Sequence, residues 1–338
     1  MDKRDHVPDL DGGTSGPDYV STGHLPTSGH VRRLVDDAYE RYAVNTEGEV
    51  SQVYPALARV PRDMFGMCLV SASGEVYAVG DADSPFTIMS VSKPFVFALV
   101  CQHIGADTAR ERIGVNATGL PFNSLTAIER NANGRTNPMV NPGAIATTSL
   151  VPGTTSDERW SFILEGLSAF AGGTLSLNDE VYVSALETNH RNRAIASLLQ
   201  SLGRMYSDPA DATDLYTRQC SLNVTARDLA VMGATLASGG VNPRTGNRVV
   251  DSMICHYTLA VMATAGLYET SGDWLYDIGL PGKSGISGGI VTVSPGKGGL
   301  GTFAPLLDRF GNSIKGQLVA RDLSQRLGMD LLVSRPGG

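Results

Sequence analysis

The sequence has no net positive charge, few cysteines and no long apolar run, and each of these features argues against a class of protein or site. A formal net charge of -7 at pH 7 argues against a nucleic-acid partner, because phosphate binding requires a basic surface. No apolar run approaches the roughly 20 residues of a membrane-spanning helix, so no membrane partner is predicted. The four cysteines lack Cys-x-x-Cys spacing and the six histidines lack ligand spacing, which predicts free thiols and no metal site.

Composition divides the chain into a leader, one large domain and a tail. Residues 1–28 are rich in glycine, proline, serine, threonine and aspartate, which predicts a disordered leader. We expect residues 29–330 to form a single domain and residues 331–338 a tail, since 42% hydrophobic residues can supply a sizeable core. The first residues lack the apolar stretch of a secretory signal, so we expect a cytoplasmic protein.

Hydrophobic patterning predicts strands near both ends of the domain and helices between them. An amphipathic helix over residues 31–42 precedes a β-hairpin of residues 66–70 and 75–79. The pattern from residue 90 to about 265 is mostly helical, and Thr225 and Asp228 form a capping box for a helix that ends at Gly239. Strand-like runs return at 289–294 and 301–304, and a final helix spans about 313–327.

These elements predict an α+β fold: one mixed antiparallel sheet, flanked by helices, plus a mostly helical lobe. The sheet would come from residues of about 50–88 and 280–330, and the lobe from residues of about 90–270. Ser-x-x-Lys enzymes have this arrangement, with the nucleophile between sheet and lobe.

The segment Ser90-Val-Ser-Lys93 is the strongest functional signal. It lies between a strand-like and a helix-like run, so the serine and the lysine would share one face of a helix start. A neutral lysine can take the serine proton, which arginine cannot, and only five of the 27 basic residues are lysines. We therefore predict a serine acyl-transfer enzyme, and the alternative is that Ser90 only caps the helix.

Other motifs have weaker support. Ser294-Pro-Gly-Lys297 repeats the Ser-x-x-Lys spacing, but it lies in a turn where no helix holds the lysine near the serine. Gly285-Ile-Ser-Gly-Gly289 matches a nucleophile elbow, and residues 296–301 match a dinucleotide fingerprint, yet neither opens a helix. Lys283-Ser-Gly285 is similar to the Lys-Thr-Gly element of penicillin-recognising enzymes, and otherwise reads as an ordinary turn.

Six segments occur in order over residues of about 30–330: Phe86-Thr-Ile-Met-Ser-Val-Ser-Lys-Pro-Phe95, Pro121-Phe-Asn-Ser124, Asn137-Pro-Met-Val-Asn-Pro-Gly-Ala-Ile145, Arg191-Asn192, Gly279-Leu-Pro-Gly-Lys-Ser-Gly-Ile286 and Gly311-Asn-Ser313. Together they resemble the serine-dependent glutaminases, which have the β-lactamase/transpeptidase-like fold. The resemblance implies hydrolysis of L-glutamine to L-glutamate and ammonia, without a cofactor, by a homodimer or homotetramer.

The resemblance also implies four catalytic residues. Ser90 would attack the side-chain amide and form a γ-glutamyl ester, with Lys93 as its base. That role requires desolvation to lower the pKa of Lys93 from about 10.4. Tyr54 and Tyr268 match the two active-site tyrosines of the family, and a phenol can pass a proton to the leaving nitrogen.

Four more positions follow from the same resemblance. Asn141, Asn192 and Tyr216 match residues that hold the amino-acid end of the substrate. The backbone N–H groups of Ser90 and Ile286 would form the oxyanion hole, where one donor contributes roughly 3 kcal/mol in the transition state.

The sequence departs from the family pattern where the substrate's α-ammonium would bind. Ala185 replaces a glutamate, and Glu187, two positions along a helix, would face elsewhere. Met89 replaces the usual glutamine before the nucleophile, and Pro142 replaces a common alanine. We therefore expect weaker glutamine affinity than is usual for the family, or a preference for a ligand without the amino group.

Two alternatives stay open. One is a penicillin-recognising serine hydrolase of the same fold, which would have to be exported. The other is a non-catalytic amino-acid sensor, which Ala185 and Met89 would suit. The sequence does not determine the oligomeric state, any activator, the role of the leader or the effect of these two residues on substrate preference.

Overall fold

The computed structural model describes residues 23–131 and 133–333, so most of the predicted leader and part of the predicted tail lie outside the described residues. The described residues contain two antiparallel sheets. The eight strands are β1 Gly66–Ser71, β2 Val76–Gly80, β3 Phe86–Thr87, β4 Ser176–Leu177, β5 Leu222–Val224, β6 Gly282–Ser284, β7 Gly289–Ser294 and β8 Gly298–Phe303.

Helices account for most of the remaining described chain. Thirteen α-helices occur in it: α1 Ser28–Ala43, α2 Ser92–Ile104, α3 Ala106–Ile113, α4 Thr126–Glu129, α5 Asn141–Thr148, α6 Ser156–Ala171, α7 Asp179–Thr188, α8 His190–Ser201, α9 Pro209–Cys220, α10 Ala226–Ala237, α11 Ser252–Ala265, α12 Ser271–Ile278 and α13 Ile314–Arg326. Within residues 23–131 and 133–333, no helix combines the length and apolarity that a membrane crossing requires.

The larger sheet joins the two ends of the domain. Its strand order is β2-β1-β8-β7-β6, so the predicted hairpin of β1 and β2 pairs directly with a strand from the C-terminal part of the chain. Val70 lies opposite Val76 in that hairpin, and Leu69 lies opposite Leu300 across β1 and β8. All of its pairings are antiparallel, so the predicted α+β fold is confirmed, with a purely antiparallel rather than a mixed sheet.

Helices cover both faces of this sheet. The helices α1 and α13 pack together on one face, and their buried residues share a core with Met67, Leu300 and neighbours on the strands. On the other face, α10 packs against β1, β7 and β8. A second, larger core connects that face to α2, α6 and α11, and it includes Phe95, Phe170 and Phe303. The nucleophile segment therefore lies where the sheet meets the helical lobe.

A second, three-stranded sheet was not predicted. Its order is β3-β5-β4, so it links the segment before Ser90 to the chain that follows α9. Phe86 pairs with Val224, and Ile88 N donates to Leu222 O at 2.8 Å. The strand-like run before Ser90 predicted β3, which is Phe86–Thr87. Strands as short as β4 and β5 show no alternation of apolar and polar residues, so the sequence pattern carries no signal for them.

The predicted capping box is confirmed. Thr225 Oγ1 accepts a hydrogen bond from Asp228 N at 3.0 Å, and the Asp228 carboxylate accepts one from Thr225 N at 2.9 Å. The helix that it opens, α10, ends at Ala237, and Gly239 has a φ of 63°, which suits glycine.

Candidate active site

Ser90 lies in a tight turn rather than in an α-helix. Residues Met89–Val91 form one 3-10 turn, and α2 begins two residues after Ser90. The prediction that Ser90 starts the helix is therefore wrong by two residues. Neither the turn nor α2 has a side-chain cap, so the alternative role of Ser90 as a cap has no support.

Lys93 stands one turn further on, with its amine against the serine hydroxyl. Lys93 Nζ lies 3.0 Å from Ser90 Oγ, and the side chain is only 1% exposed. Burial lowers the pKa of Lys93 to about 7 from an ordinary value near 10.5. A large fraction of this amine is therefore neutral near pH 7, in hydrogen-bond contact with a hydroxyl.

Asn141 also forms a hydrogen bond with the Lys93 amine. Its Oδ1 accepts hydrogen bonds from Lys93 Nζ at 2.7 Å and from the Tyr216 hydroxyl at 3.1 Å. Its Nδ2 donates to Asn192 Oδ1 at 2.9 Å. Three helices, α5, α8 and α9, thus bring three predicted site residues into one chain of hydrogen bonds that ends on Lys93.

The phenol rings of Tyr268 and Tyr54 complete the surroundings of Ser90. Lys93 Nζ lies 5.5 Å from the centre of the Tyr268 ring. Burial raises the pKa of Tyr268, and the nearby Ser90 opposes that rise. Burial also raises the pKa of Tyr54 to about 12. Both phenols therefore keep their protons near neutral pH and can act as donors.

A second buried lysine, Lys283, packs against the ring of Tyr268. Lys283 Nζ lies 4.0 Å from the centre of the Tyr268 ring and donates to Ser284 O at 2.7 Å. Burial lowers the pKa of Lys283 well below its ordinary value, and the neighbouring Lys93 adds to the effect. Ser284 Oγ in turn donates to Asn312 Oδ1 at 2.6 Å. The Lys283-Ser-Gly segment is thus part of the site, as its likeness to Lys-Thr-Gly suggested.

Two backbone N–H groups in the site have no internal partner. Ser90 N and Ile286 N donate no hydrogen bond to any residue that the structure describes. The loop that carries Ile286 is held close to the serine turn: Ser287 Oγ donates to Thr87 O at 2.6 Å. A Cβ on Gly285 would lie 3.0 Å from Ile88 O, so glycine permits this approach. Free donors on two adjacent loops can receive one oxyanion.

Backbone strain is concentrated beside the same residues. In the described chain, the non-glycine residues with positive φ are Met89, at 48°, and Tyr268, at 58°. Such conformations cost about 1–3 kcal/mol each and persist only where the surroundings enforce them. Here they fix the residue before the predicted nucleophile and one of the two predicted tyrosines.

One pocket brings most of the predicted site together. Its lining includes Ser90 and five other predicted residues, namely Tyr54, Asn141, Asn192, Tyr216 and Ile286, while Lys93 and Tyr268 lie directly behind it. Met89 and Ala185, two of the three departures from the family pattern, also line it, and Pro142 does not. Glu187 is exposed, as expected from its position on α7.

Five other lining residues were not predicted: Val53, Phe122, Thr217, Cys220 and Ser221. Phe122 belongs to a segment that carried the resemblance, and its ring packs 5.2 Å from that of Tyr268. Cys220 is four residues beyond Tyr216 on α9, so helical spacing from Tyr216 could have identified it. Thr217 and Ser221, one and five residues beyond Tyr216, do not have that spacing.

The second Ser-x-x-Lys pair, the nucleophile-elbow match and the dinucleotide-fingerprint match do not have the roles that their motifs would predict. Ser294 Oγ donates to Met329 O at 2.9 Å, and Lys297 Nζ donates to Gly328 O, so this second Ser-x-x-Lys pair binds the chain after α13. The Gly-x-Ser-x-Gly match runs into β7, and residues 298–301 lie in β8. All four cysteines are free thiols. Among the described residues, no group of three or more His, Cys, Asp or Glu is placed to hold a metal ion.

Comparisons with known proteins show the family of this chain. A family model described as Glutaminase matches residues 48–332. Glutaminase 2 of Yersinia pestis is 72% identical over 319 residues, which is 94% of each chain. A glutaminase of Brucella canis is 51% identical over 290 residues, covering 86% of this chain and 92% of the relative.

Solved structures give the same result. The structure of the probable glutaminase ybaS has a TM-score of 0.89 at 42% identity and covers 91% of this chain and 100% of that one. A probable glutaminase of Bacillus subtilis has a TM-score of 0.80 at 28% identity, over 90% and 97% of the two chains. The chain therefore belongs to the glutaminase family and is an enzyme of the amidohydrolase class.

Proposed function

We propose that this enzyme hydrolyses L-glutamine to L-glutamate and ammonia through a γ-glutamyl ester on Ser90. One observation carries the mechanism: the amine of Lys93, buried and with its pKa lowered to about 7, lies 3.0 Å from Ser90 Oγ. A base of that pKa, already in contact with the hydroxyl, matches the pH at which it must work.

In the first step, Ser90 Oγ attacks the carbonyl carbon of the side-chain amide and its proton passes to Lys93 Nζ. The bond between Asn141 Oδ1 and Lys93 Nζ, at 2.7 Å, orients the lone pair of the amine toward the serine. The N–H groups of Ser90 and Ile286 would stabilise the oxyanion, and each such donor contributes about 3 kcal/mol.

In the second step, the carbon–nitrogen bond breaks and the nitrogen leaves as ammonia with the proton that Lys93 received. Tyr268 and Tyr54, which keep their protons near neutral pH, would relay that proton. Water then attacks the ester, with Lys93 again as the base, and releases glutamate. Asn141, Asn192 and Tyr216 would hold the amino-acid end of the substrate, and no cofactor takes part.

We also propose that the enzyme is a cytoplasmic homodimer or homotetramer in which residues 29–330 form one domain between a leader and a tail. The family resemblance supports the oligomer, and one antiparallel sheet built from both ends of the domain supports the domain limits.

The test uses the two Ser-x-x-Lys pairs of this chain as a matched set. We expect Ser90→Ala to lower kcat for ammonia release from glutamine by about a thousandfold or more, because the nucleophile is lost. Ser294→Ala removes the hydroxyl of the other pair, which binds Met329 O, and should leave kcat unchanged. If the Ser90 variant keeps its activity, or both variants lose it equally, the proposed nucleophile is wrong.

A further inference from the structure

The substrate pocket has no side chain suited to an ammonium group. Thirteen described residues line it, and none is Asp, Glu or Arg. The ionisable groups in the lining and directly behind it are instead two lysines, three tyrosines and the Cys220 thiol. The Glu269 carboxylate follows Tyr268 in the chain but is exposed and outside the lining. A free ammonium that enters this site would lose water and meet no anion, which is costly for a charged group.

The amide acceptors of the pocket are partly occupied. Both lone pairs of Asn141 Oδ1 are taken, one by Lys93 and one by Tyr216. Asn192 Oδ1 accepts a hydrogen bond from Asn141 Nδ2. Asn192 Nδ2, in contrast, donates to no residue that the structure describes. The pocket thus offers a donor, which suits a carboxylate, and the side-chain acceptors that remain free in its lining are neutral.

Apolar side chains form the wall beside the serine. Met89 and Ala185, each 3% exposed, line the pocket together with Ile286. Met89 belongs to a small apolar cluster with Leu57 and Val181, against which Tyr54 and Ile286 pack. Such a wall suits the methylene chain of a substrate and not a charged substituent on it.

The carboxylates of the surrounding helices lie outside the pocket lining, and two of them have partners already. On α7, Glu180 forms an ion pair with Arg59, and on α9, Asp214 pairs with Arg218 and accepts a hydrogen bond from the Tyr182 hydroxyl at 2.5 Å. Glu187 on α7 and Glu269 beside Tyr268 are exposed and also lie outside the lining, so none of these carboxylates gives the pocket a counter-charge.

We propose that the preferred substrates are short carboxylic acids with a terminal primary amide and no free α-ammonium, and that glutamine is an accepted but suboptimal member of this class. This inference rests on the proposed hydrolysis at Ser90, since the same amide bond is cleaved.

Ammonia release from two substrates tests it with the unmodified protein. L-glutamine is compared with glutaramate, the same molecule without its α-amino group, and kcat/KM is measured for each. We expect kcat/KM for glutaramate to equal or exceed that for glutamine. A lower value for glutaramate overturns the inference but leaves the glutaminase proposal intact. If neither compound releases ammonia, the glutaminase proposal fails and the inference fails with it.

A variant pair then separates charge from size. Ala185→Glu should raise kcat/KM for glutamine about tenfold or more and leave that for glutaramate unimproved, since a charged hydrogen bond is worth about 1.5–3 kcal/mol. Ala185→Gln, of the same size but neutral, should give no such gain for glutamine. No gain with Ala185→Glu, or an equal gain with Ala185→Gln, would contradict the proposal.

Discussion

At the scale of single residues, the lowered pKa of Lys93 determines how the site must respond to pH. Burial destabilises the charged form of the amine, and its pKa falls to about 7. The protonated form cannot take the Ser90 proton, so the active fraction of the enzyme rises as pH increases through that value.

We therefore expect kcat/KM for glutamine to fall about tenfold for each pH unit below about 7 and to level off above it. The measurement is the rate of ammonia release across pH 5 to 9 at low substrate concentration, roughly the range over which such groups titrate. Lys93→Arg, whose guanidinium stays charged, should be inactive throughout. A profile with no inflection on the acid side would exclude Lys93 as the base.

Sequence alone could identify some of these residues and not others. Ser90 and Lys93 were found from spacing, because a short-range motif determines their contact. Asn141 and Asn192 carry no such signal and were placed only by the family resemblance. Phe122 and Cys220 line the pocket because of how helices pack, which residue spacing near Ser90 does not encode.

At the scale of elements, α10 packs so closely on β8 that two positions of the strand have no room for a side chain, and both are glycine. A Cβ on Gly299 would lie 2.3 Å from Ala234 N, and one on Gly301 would lie 2.1 Å from Ala226 O. Gly301 is the last glycine of a dinucleotide fingerprint in sequence, yet both glycines let a helix backbone approach a sheet.

We expect Gly301→Ala to lower the free energy of unfolding by about 1–3 kcal/mol, because α10 would have to move away from β8. Urea unfolding followed by circular dichroism measures it. Gly272→Ala is the control: this position lies on α12, where an added Cβ meets nothing within 4 Å. That change should raise stability by up to about 1 kcal/mol. Equal stability of the two variants would show that the close approach of α10 does not matter.

Elements with strong local signals were predicted well. The hairpin of β1 and β2 has an apolar run on each side of a turn, and α10 has its capping box, so local chemistry determines both. The three-stranded sheet was missed because pairing between β3, β4 and β5 joins segments far apart in the chain.

At the scale of the whole molecule, sheet and helical lobe share one core. Phe303 of β8 lies in the same apolar cluster as Phe95 of α2 and Phe170 of α6. Since β1 and β8 also pair, neither part can unfold without exposing apolar surface of the other. We therefore expect one cooperative transition.

The two tryptophans can test this because they lie in different parts. Trp160 is on α6 in the helical lobe, and Trp274 is buried on α12, in the core beneath the sheet. In Trp160→Phe and in Trp274→Phe, the fluorescence of the remaining tryptophan and the circular dichroism should give one urea midpoint within each protein. Separate midpoints within either variant would show that the lobe and the sheet unfold independently.

Detection of the covalent intermediate tests whether Ser90 is the nucleophile. The enzyme is mixed with glutamine, quenched in acid during turnover and analysed by mass spectrometry of the intact protein and its peptides. We expect a mass increase of one γ-glutamyl group on the peptide that contains Ser90, absent in Ser90→Ala. Continued ammonia release by Ser90→Ala, or an adduct on another residue, would contradict it.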